Sequence, residues 1–472
     1  MTTSELQSPA PPGLERHVSA VAAVVVLGGI TTVLDATIVS VAIETLSHRF
    51  GSPLATIQWV MTAYLLALAA AIPVTGWAAD RFGGKRLWMF SLALFVGASV
   101  LCGLAWSAES LVLFRVLQGL GGGMVMPVGM TLVAQAAGPQ RMGRAMSAVG
   151  IPMMLGPVAG PVLGGILIST VSWQWIFMLN VPIGVAALLW SWRVIEDKPG
   201  RRAERLDLTG LLLLSPGVVA FVYGVSALSR SGDFAAPDVL VGVLGGLALL
   251  VAFVVRALRT EQPLLDLRLF RDRTFSAAAV VLVLLGAVLI GSMLLLPLYY
   301  QVVRGESPIT TGLLLMPQGV GAALAMAVTG RLVDRGRGKA VLLTGLPLMV
   351  AGFLVYTQST SDTSYVLMSL ALLVVGMGTG CVMSPVMSAA YAVLDRAAIP
   401  KATATLNVIQ RIGGAVGTAV YAVVLQHNLK AIGGASAFGD TFWLPLAFVA
   451  IAILPALLLP RANRHTEGNH GK

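Results

Sequence analysis

Apolar runs of about 18 to 25 residues, separated by short polar breaks, recur along nearly the whole chain, and each matches the length an α-helix needs to cross a bilayer. The pattern predicts spans near residues 18–43, 56–78, 87–105, 110–134, 145–168 and 174–194, a first block of six. A charged stretch from Glu196 to Arg205 leads into two further spans near 207–228 and 238–256, and a second charged stretch runs from Arg256 to Arg273. Six more follow near 275–300, 311–330, 340–358, 364–392, 403–426 and 441–459. In lipid every backbone polar group must be satisfied within its own segment, so the spans are helical. The expected fold is an all-α membrane protein of 14 transmembrane helices, with six-helix bundles at 18–200 and 266–460 and two linker helices inserted at 201–265. The polar ends, 1–17 and 461–472, read as tails. The first carries three prolines and precedes a span too long for a secretory h-region, which argues against a cleaved signal.

Composition sharpens this picture. Of 472 residues, 57% are hydrophobic and 11% charged, against roughly 25% charged in a soluble domain, which excludes an ordinary soluble enzyme. A net charge of +10 invites a nucleic-acid reading, but no soluble domain offers the basic face that reading needs. The placement of the charges says more. With the N-terminus inside, all but six of the 31 Lys and Arg residues fall in one set of loops and tails. Only Arg49, Arg230, Arg304 and Lys430 fall on the other side, and Arg115 and Arg411 lie within spans. The bias supports an even number of spans with both termini cytoplasmic. Cys102 and Cys381 lie far apart in apolar runs, so no disulfide framework or metal cluster is expected. No cofactor is expected either. An internal repeat, Gly76-Trp-Ala-Ala-Asp80-Arg81-Phe-Gly83 against Gly330-Arg-Leu-Val-Asp334-Arg335-Gly336, follows the second helix of each block, so the halves are parallel repeats.

Asp35 is the only acidic residue deep within a predicted span. An unpaired carboxylate there costs about 2.5–3.5 kcal/mol, so it needs a partner, a water-filled cavity or a proton. At the helical rise, Asp35 lies roughly 12 Å below the outer end of its helix and Arg115 about 9 Å below that of its own. Two readings follow: Arg115, with Gln118, tunes a carboxylate that binds a proton, or the two charges form a permanent pair that locks the helices. In the first, proton and cationic ligand compete for one negative charge. Glu44, nine residues on, falls on the opposite helical face and reads as an interfacial carboxylate, with a transport role as the alternative. Gly156, Gly160 and Gly164 recur every four residues beside Pro157 and Pro161, marking either a helix that slides or flexes against the facing bundle or ordinary small-residue packing. Substrate contacts are sought among Trp59, Tyr64, Tyr299, Tyr300, Gln301, Met316, Gln318, Met383, Asn407 and Gln410, although Trp and Tyr near helix ends also serve as interface anchors. Arg411 either snorkels toward the cytoplasm or holds the second half together.

These motifs resemble the major facilitator superfamily, and within it the fourteen-helix drug:proton antiporters of the QacA and EmrB type. The similarity lies in Leu34-Asp35-Ala-Thr37-Ile-Val-Ser40-Val-Ala42-Ile, in Gly76 through Arg86, and in Arg115-Val-Leu-Gln118-Gly119-Leu-Gly121. It extends to Gly150 with Gly156-Pro157-Val-Ala-Gly160-Pro161-Val-Leu-Gly164-Gly165, and to Trp173-Gln-Trp175-Ile-Phe177-Met-Leu-Asn180-Val-Pro182-Ile-Gly184. Ser40 departs from the family's usual Asn, and Glu44 stands where a proline usually ends the helix. The resemblance implies a secondary active exporter that exchanges protons for small hydrophobic or cationic drugs by alternating access. The bilayer and protons are its other partners, and a monomer is the expected state. It also implies that Gly76, Asp80, Arg81, Gly83, Arg86, Asp334 and Arg335 latch one conformer, against the alternative that they serve topology alone. Gly150 to Gly165 would seal the two halves against leak.

The rival readings are an exporter of one natural cargo, such as an endogenous antibiotic, lipid or siderophore, and a membrane-embedded enzyme or structural subunit. The last lacks converging His, Cys or paired carboxylates within the spans. An ATP-driven pump lacks a GxxxxGK[ST] element. Arginine outnumbers lysine by 25 to 6, a bias associated with a GC-rich bacterial genome and hence with a bacterial cytoplasmic membrane.

Overall fold

The computed structural model describes residues 12–138, 141–197, 200, 206–231, 235–261, 263–395 and 397–459. Lys198, Arg201, Arg202, Arg205, Arg396, Arg461, Arg464, Lys472 and the side chains of Ser40, Pro157, Pro161 and Arg230 lie outside the described residues.

The apolar runs form long helices because the side chains bury or meet lipid while each backbone closes on itself. In chain order these are α1 (Pro12–Ile38), α2 (Leu54–Ala71), α3 (Gly84–Gly103), α4 (Ala108–Ala137), α5 (Met142–Thr170) and α6 (Asn180–Val194). Then come α7 (Leu208–Ser231) and α8 (Pro237–Arg259). The second half comprises α9 (Arg273–Leu298), α10 (Pro308–Leu332), α11 (Gly338–Thr357), α12 (Tyr365–Ala392), α13 (Ile399–Ala431) and α14 (Trp443–Leu458). Among the described residues, twelve segments are long and apolar enough to cross a membrane. One of them, Thr310–Thr357, holds both α10 and α11, parted at Gly336, where φ is 78°. The 29-residue α5 stands beside them as a further rod.

The ends depart from the periodicity in instructive ways. α1 begins at Pro12, within the stretch read as a tail, and stops at Ile38, short of the expected 43. A tight turn, Val39–Ala42, then leads into a separate helix, Ile43–Phe50, closed by Gly51 at φ 60°. Glu44 is exposed in the first turn of that short helix and does not share a rod with Asp35. α2 is followed by a tightened turn at Ile72–Val74, where Pro73 removes a backbone donor, and by the short helix Thr75–Phe82.

Close helix crossings rest on small residues. On α4, a Cβ at Gly119 or Gly123 would lie 2.5 or 2.4 Å from the carbonyl oxygens of Tyr64 and Leu68 on α2, while one at Gly121 would lie 2.7 Å from the Phe95 nitrogen on α3. Glycines on alternating faces thus let α4 wedge between two neighbours. The linker helices pair in the same way, with Gly242 on α8 against Gly224 on α7. α7 lies against both halves: Ser215 Oγ donates to the Ala70 carbonyl at 2.8 Å, the Tyr223 ring stacks on Trp59 at 6.1 Å, and Val225 and Leu228 pack with Ala419 of α13. α8 turns Val241, Leu244, Val251 and Leu258 outward, toward lipid.

The sequence repeat has a structural counterpart. Lys85, in the first turn of α3, donates to the Trp192 carbonyl in the last turn of α6 at 2.7 Å. Lys339, in the first turn of α11, donates to the Leu457 carbonyl in the last turn of α14 at 2.6 Å. A lysine at the carbonyl end of a helix satisfies orphan acceptors and meets the negative end of the helix dipole. Both sit at the basic end of the molecule, the end that carries the repeated Asp-Arg turns.

Gly123→Leu is expected to force α2 from α4 at a cost of about 2 kcal/mol or more. It should lower the thermal unfolding temperature in detergent, whereas Gly97→Ala, where a Cβ meets nothing within 4 Å, should leave it unchanged.

Candidate functional site

The register of α4 is set by its N-terminus. Ser107 and Ser110 form a reciprocal cap, with Ser110 N–H donating to Ser107 Oγ at 3.2 Å and Ser107 N–H to Ser110 Oγ at 3.0 Å. Two turns later Arg115 points into the bundle and is 1% exposed. There its NH1 donates to Asp35 Oδ2 and to Gln118 Oε1, the latter at 2.7 Å, and its Nε donates to the Val60 carbonyl at 3.0 Å. The guanidinium stacks on the Tyr64 ring at 3.9 Å and lies 5.8 Å from that of Phe177.

Asp35 itself is wholly buried and accepts from three side chains. Besides Arg115, Gln118 Nε2 and Asn180 Nδ2 each donate to its Oδ1 at 2.9 Å. The same two amides donate to Ser99 Oγ at 3.0 and 3.1 Å, and Ser99 passes its own proton to the Phe177 carbonyl at 2.9 Å. Four helices, α1, α3, α4 and α6, therefore converge on one carboxylate that accepts from three donors. The structure brings Asp35, Arg115 and Gln118 together. It also seals Asp35 behind its partners, so a ligand in the space between the halves does not touch the carboxylate in this state, and direct competition for its charge needs another conformation.

At the basic end the halves close on each other twice, in matching geometry. Gly76 lies against the Pro400–Lys401 backbone, where a Cβ would be 3.1 Å from the Lys401 Cα. Its repeat partner Gly330 lies against Gly143 and Arg144, 2.9 Å by the same measure. Asp334 of the second half accepts from the Gly143 N–H at 2.9 Å and from Arg144 Nε at 2.7 Å, so it meets both a helix N-terminus and a cation across the interface. Ser384 Oγ donates to the Gly143 carbonyl at 3.1 Å and lies 3.3 Å from Ser147 Oγ. Gly83, at φ 88°, makes the turn into α3. Arg86 pairs with Asp197 at the surface, where both are largely exposed, and Arg81 and Arg335 are exposed. Asp80 is partly buried and carries an interaction of its own.

The glycine-rich α5 divides its faces differently from the expectation. Gly156, Gly160 and Gly164 lie against Val33, Thr37 and Ile38 with Val41, on α1 and the turn that follows it, inside the same half. Gly150 instead meets Met326 of α10, and Gly165 meets nothing within 4 Å. The stripe at four-residue spacing thus packs α5 onto the helix that carries Asp35. The face that meets the other half runs through Gly143 and Gly150, offset by helical rotation.

Several residues sought as substrate contacts have other partners. Tyr299 and Tyr300 are fully buried, with Tyr299 OH donating to the Thr360 carbonyl at 2.7 Å and Tyr300 OH 3.0 Å from Tyr356 OH. They clasp the loop after α11 within a cluster of aromatic rings and offer no free surface. Tyr64 is likewise buried, its OH donating to the Thr32 carbonyl at 3.3 Å. Trp59 is half-exposed against α7, Asn407 donates back to the Thr403 carbonyl at 2.9 Å, Gln301 and Met316 are exposed, and Gln318, Met383 and Gln410 are partly exposed. Reading by composition missed Ser99 and Asn180 as members of the charge cluster. Asn180 was visible as an amide at the apolar start of α6, but its distance to Asp35 is purely tertiary.

Removing one member of the buried pair strands the other. Arg115→Ala is expected to destabilise the protein by about 3–5 kcal/mol. The double variant Asp35→Asn with Arg115→Ala should recover much of that loss in thermal unfolding in detergent. At the basic end, Asp334→Ala removes a charge-assisted contact between the halves, so opening should rise roughly fivefold. With Cys102 and Cys381 replaced by alanine, the readout is the maleimide labelling rate of Ser384→Cys, which is expected to rise by that factor.

The chain matches the family profile described as Major Facilitator Superfamily over residues 25–418. It is 43% identical over 413 residues to the multidrug resistance protein B homolog of Mycobacterium tuberculosis, covering 87% of this chain and 76% of that one. It is 30% identical over 404 residues to the multidrug export protein EmrB of Haemophilus influenzae, covering 85% and 79%. Its fold is similar to that of the proton:xylose symporter XylE, with a TM-score of 0.66 at 15% identity, covering 93% of this chain and 95% of that one. The human organic anion transporter MFSD10 gives the same score at 17% identity, covering 95% and 100%. Matched by the family profile across most of its length, the chain belongs to the Major Facilitator Superfamily.

Proposed function

We propose that this protein is a secondary active multidrug exporter of a bacterial cytoplasmic membrane, exchanging protons for hydrophobic or cationic compounds by alternating access. In this reading the basic end faces the cytoplasm, as the positive-inside rule requires. The observation that carries the proposal is the wholly buried Asp35, held by Arg115, Gln118 and Asn180 inside one half of a molecule whose halves meet at the basic end through short polar contacts and close glycine packing. The names of the relatives, a multidrug resistance protein and a multidrug export protein, support drugs as the cargo.

Proton coupling works through the neutralisation of Asp35. Ionised, the carboxylate accepts from Arg115 and two amides and draws α1, α3, α4 and α6 together. Protonated, it no longer balances Arg115, and the low-dielectric interior makes that imbalance costly. The half then relaxes into a different packing. Because α5 lies on α1 through Gly156 and Gly160, on either side of Asp35, a shift of α1 is passed to the helix that meets α10. Proton and drug thus exclude each other through the conformation rather than by touching one group.

The test is substrate-driven proton release from purified protein in proteoliposomes, across a panel of cationic and neutral amphiphiles. The native chain is expected to release protons when substrate is added, and Asp35→Asn to bind substrate with no release. Release that persists in Asp35→Asn would place coupling elsewhere, with Glu44 next to be examined. A native protein that responds to none of the panel would favour one natural cargo.

A further inference from the structure

Away from the basic end, the first half holds a cavity of about 380 Å³, far more room than one water needs. Three segments line it. The short helix Ile43–Phe50 and the turn after it supply Arg49 and Ser52, the loop from α3 into the first turn of α4 supplies Trp106 and Glu109, and the loop after α5 supplies Trp173 and Gln174. Their level follows from α3, which leaves the Asp-Arg turn at Gly84 and ends at Gly103, on the opposite side of the molecule. None of the six hydrogen-bonds to Asp35, and none belongs to the contacts that join the halves at the basic end.

Arg49 and Glu109 bring opposite charges to this one cavity, yet among the described residues neither is in an ion pair. Two covered atoms of the same lining are also unmatched. Trp173 is 6% exposed, and its indole N–H has no acceptor among the described residues, while Gln174 Oε1 is covered and has no donor. A buried polar atom left without a partner is costly, and here the indole can only donate and the amide oxygen can only accept. The Trp173 ring is held in place, edge-on to Phe50 at 5.5 Å and to Phe177 at 6.3 Å. The cavity thus offers a cation with an unused N–H and a carboxylate with an unused carbonyl oxygen. Its lining also reaches inward, because the Phe177 ring lies 5.8 Å from the Arg115 guanidinium.

We infer that this cavity binds a compact zwitterion that joins a primary ammonium to a phosphate ester, the chemistry of an ethanolamine phospholipid headgroup. The phosphate accepts from Arg49 and from the Trp173 N–H, and the ammonium donates to Glu109 and to Gln174 Oε1. A choline headgroup has no N–H for the amide oxygen, and a purely anionic one leaves Glu109 beside a like charge. The level suits a lipid. Trp106, in the wall of the cavity, is 76% exposed, and Leu104 and Trp175, each next to a lining residue in the chain, are exposed as well, as in the aromatic belts that form at headgroup depth. An occupant that satisfies Trp173 also steadies Phe177 against Arg115. The site is independent of what the protein exports.

The test is native mass spectrometry of the purified full-length protein in detergent, titrated with phosphatidylethanolamine, phosphatidylcholine and phosphatidylglycerol of identical acyl chains. The ethanolamine lipid is expected to bind at least about fivefold more tightly than either of the others. Arg49→Ala and Glu109→Gln, both at exposed positions that the fold does not depend on, should each weaken it by about fivefold. Trp173→Phe, which keeps the ring between Phe50 and Phe177 and removes the N–H, should weaken it by about threefold. Soluble glycerophosphoethanolamine separates the two sources of this chemistry: displacement of the lipid by up to about a hundredfold excess assigns the site to a free solute as well, and retention assigns it to lipid, whose chains raise its effective concentration at the protein. Equal binding of the three lipids would overturn the inference. So would ethanolamine-lipid binding unchanged in Arg49→Ala and Glu109→Gln, an equal loss of all three lipids in those variants, or no bound lipid at all, which would leave a cavity that holds water alone.

Discussion

The first half of this protein is organised around a single carboxylate buried with its cation. Inside a bilayer-spanning bundle neither Asp35 nor Arg115 can be solvated by bulk water, so each is tolerable only because the other is present with enough donors to complete the carboxylate's shell. The contrast with Arg86 and Asp197 is one of environment. That pair is mostly exposed at the basic end and contributes roughly 0–1 kcal/mol, so it neither holds the fold nor responds strongly to its loss. Asp35, Arg115, Gln118, Ser99 and Asn180 form one connected network, and a proton delivered to its centre alters the balance of every bond in it.

Around that network the helices pack by backbone proximity. Hydrophobicity cannot drive helix association in a solvent as apolar as the side chains, so close approach, dispersion and hydrogen bonds decide the arrangement. The consequence is visible in where the glycines fall. Those of α4 admit α2 and α3, those of α5 admit α1, and those of α7 and α8 admit one another. The α5 stripe ties the charge network to the interface with α10, because the same rod carries Gly160 against Thr37 and Gly150 against Met326.

The two inserted helices are also more than a spacer. α7 is fastened to α2 at Ala70 and Trp59 and to α13 at Ala419, so it spans the seam between the halves. α8, paired to it through Gly242, turns an apolar face to lipid.

Much of this was legible in the chain itself. The length of the apolar runs determined helices, because a bilayer admits no other continuous chain conformation for them, and the repeat of Gly76 to Gly83 in Gly330 to Gly336 determined two related halves. The scarcity of acidic residues within the spans singled out Asp35, since lipid makes every such charge expensive. Periodicity was silent on partners: it marked Arg115 and Gln118 by position but not Asn180 or Ser99, whose roles arise from helices that meet only in three dimensions. It left the neighbour of the α5 glycine stripe open, because a face of small residues specifies close approach and not to whom. It offered Tyr299 and Tyr300 to a ligand, although the loop after α11 already occupies them. Whether a charge is shared, as with Arg115, or left open, as with Arg49, was decided by tertiary structure alone, because pairing depends on distances of a few ångströms between segments far apart in sequence.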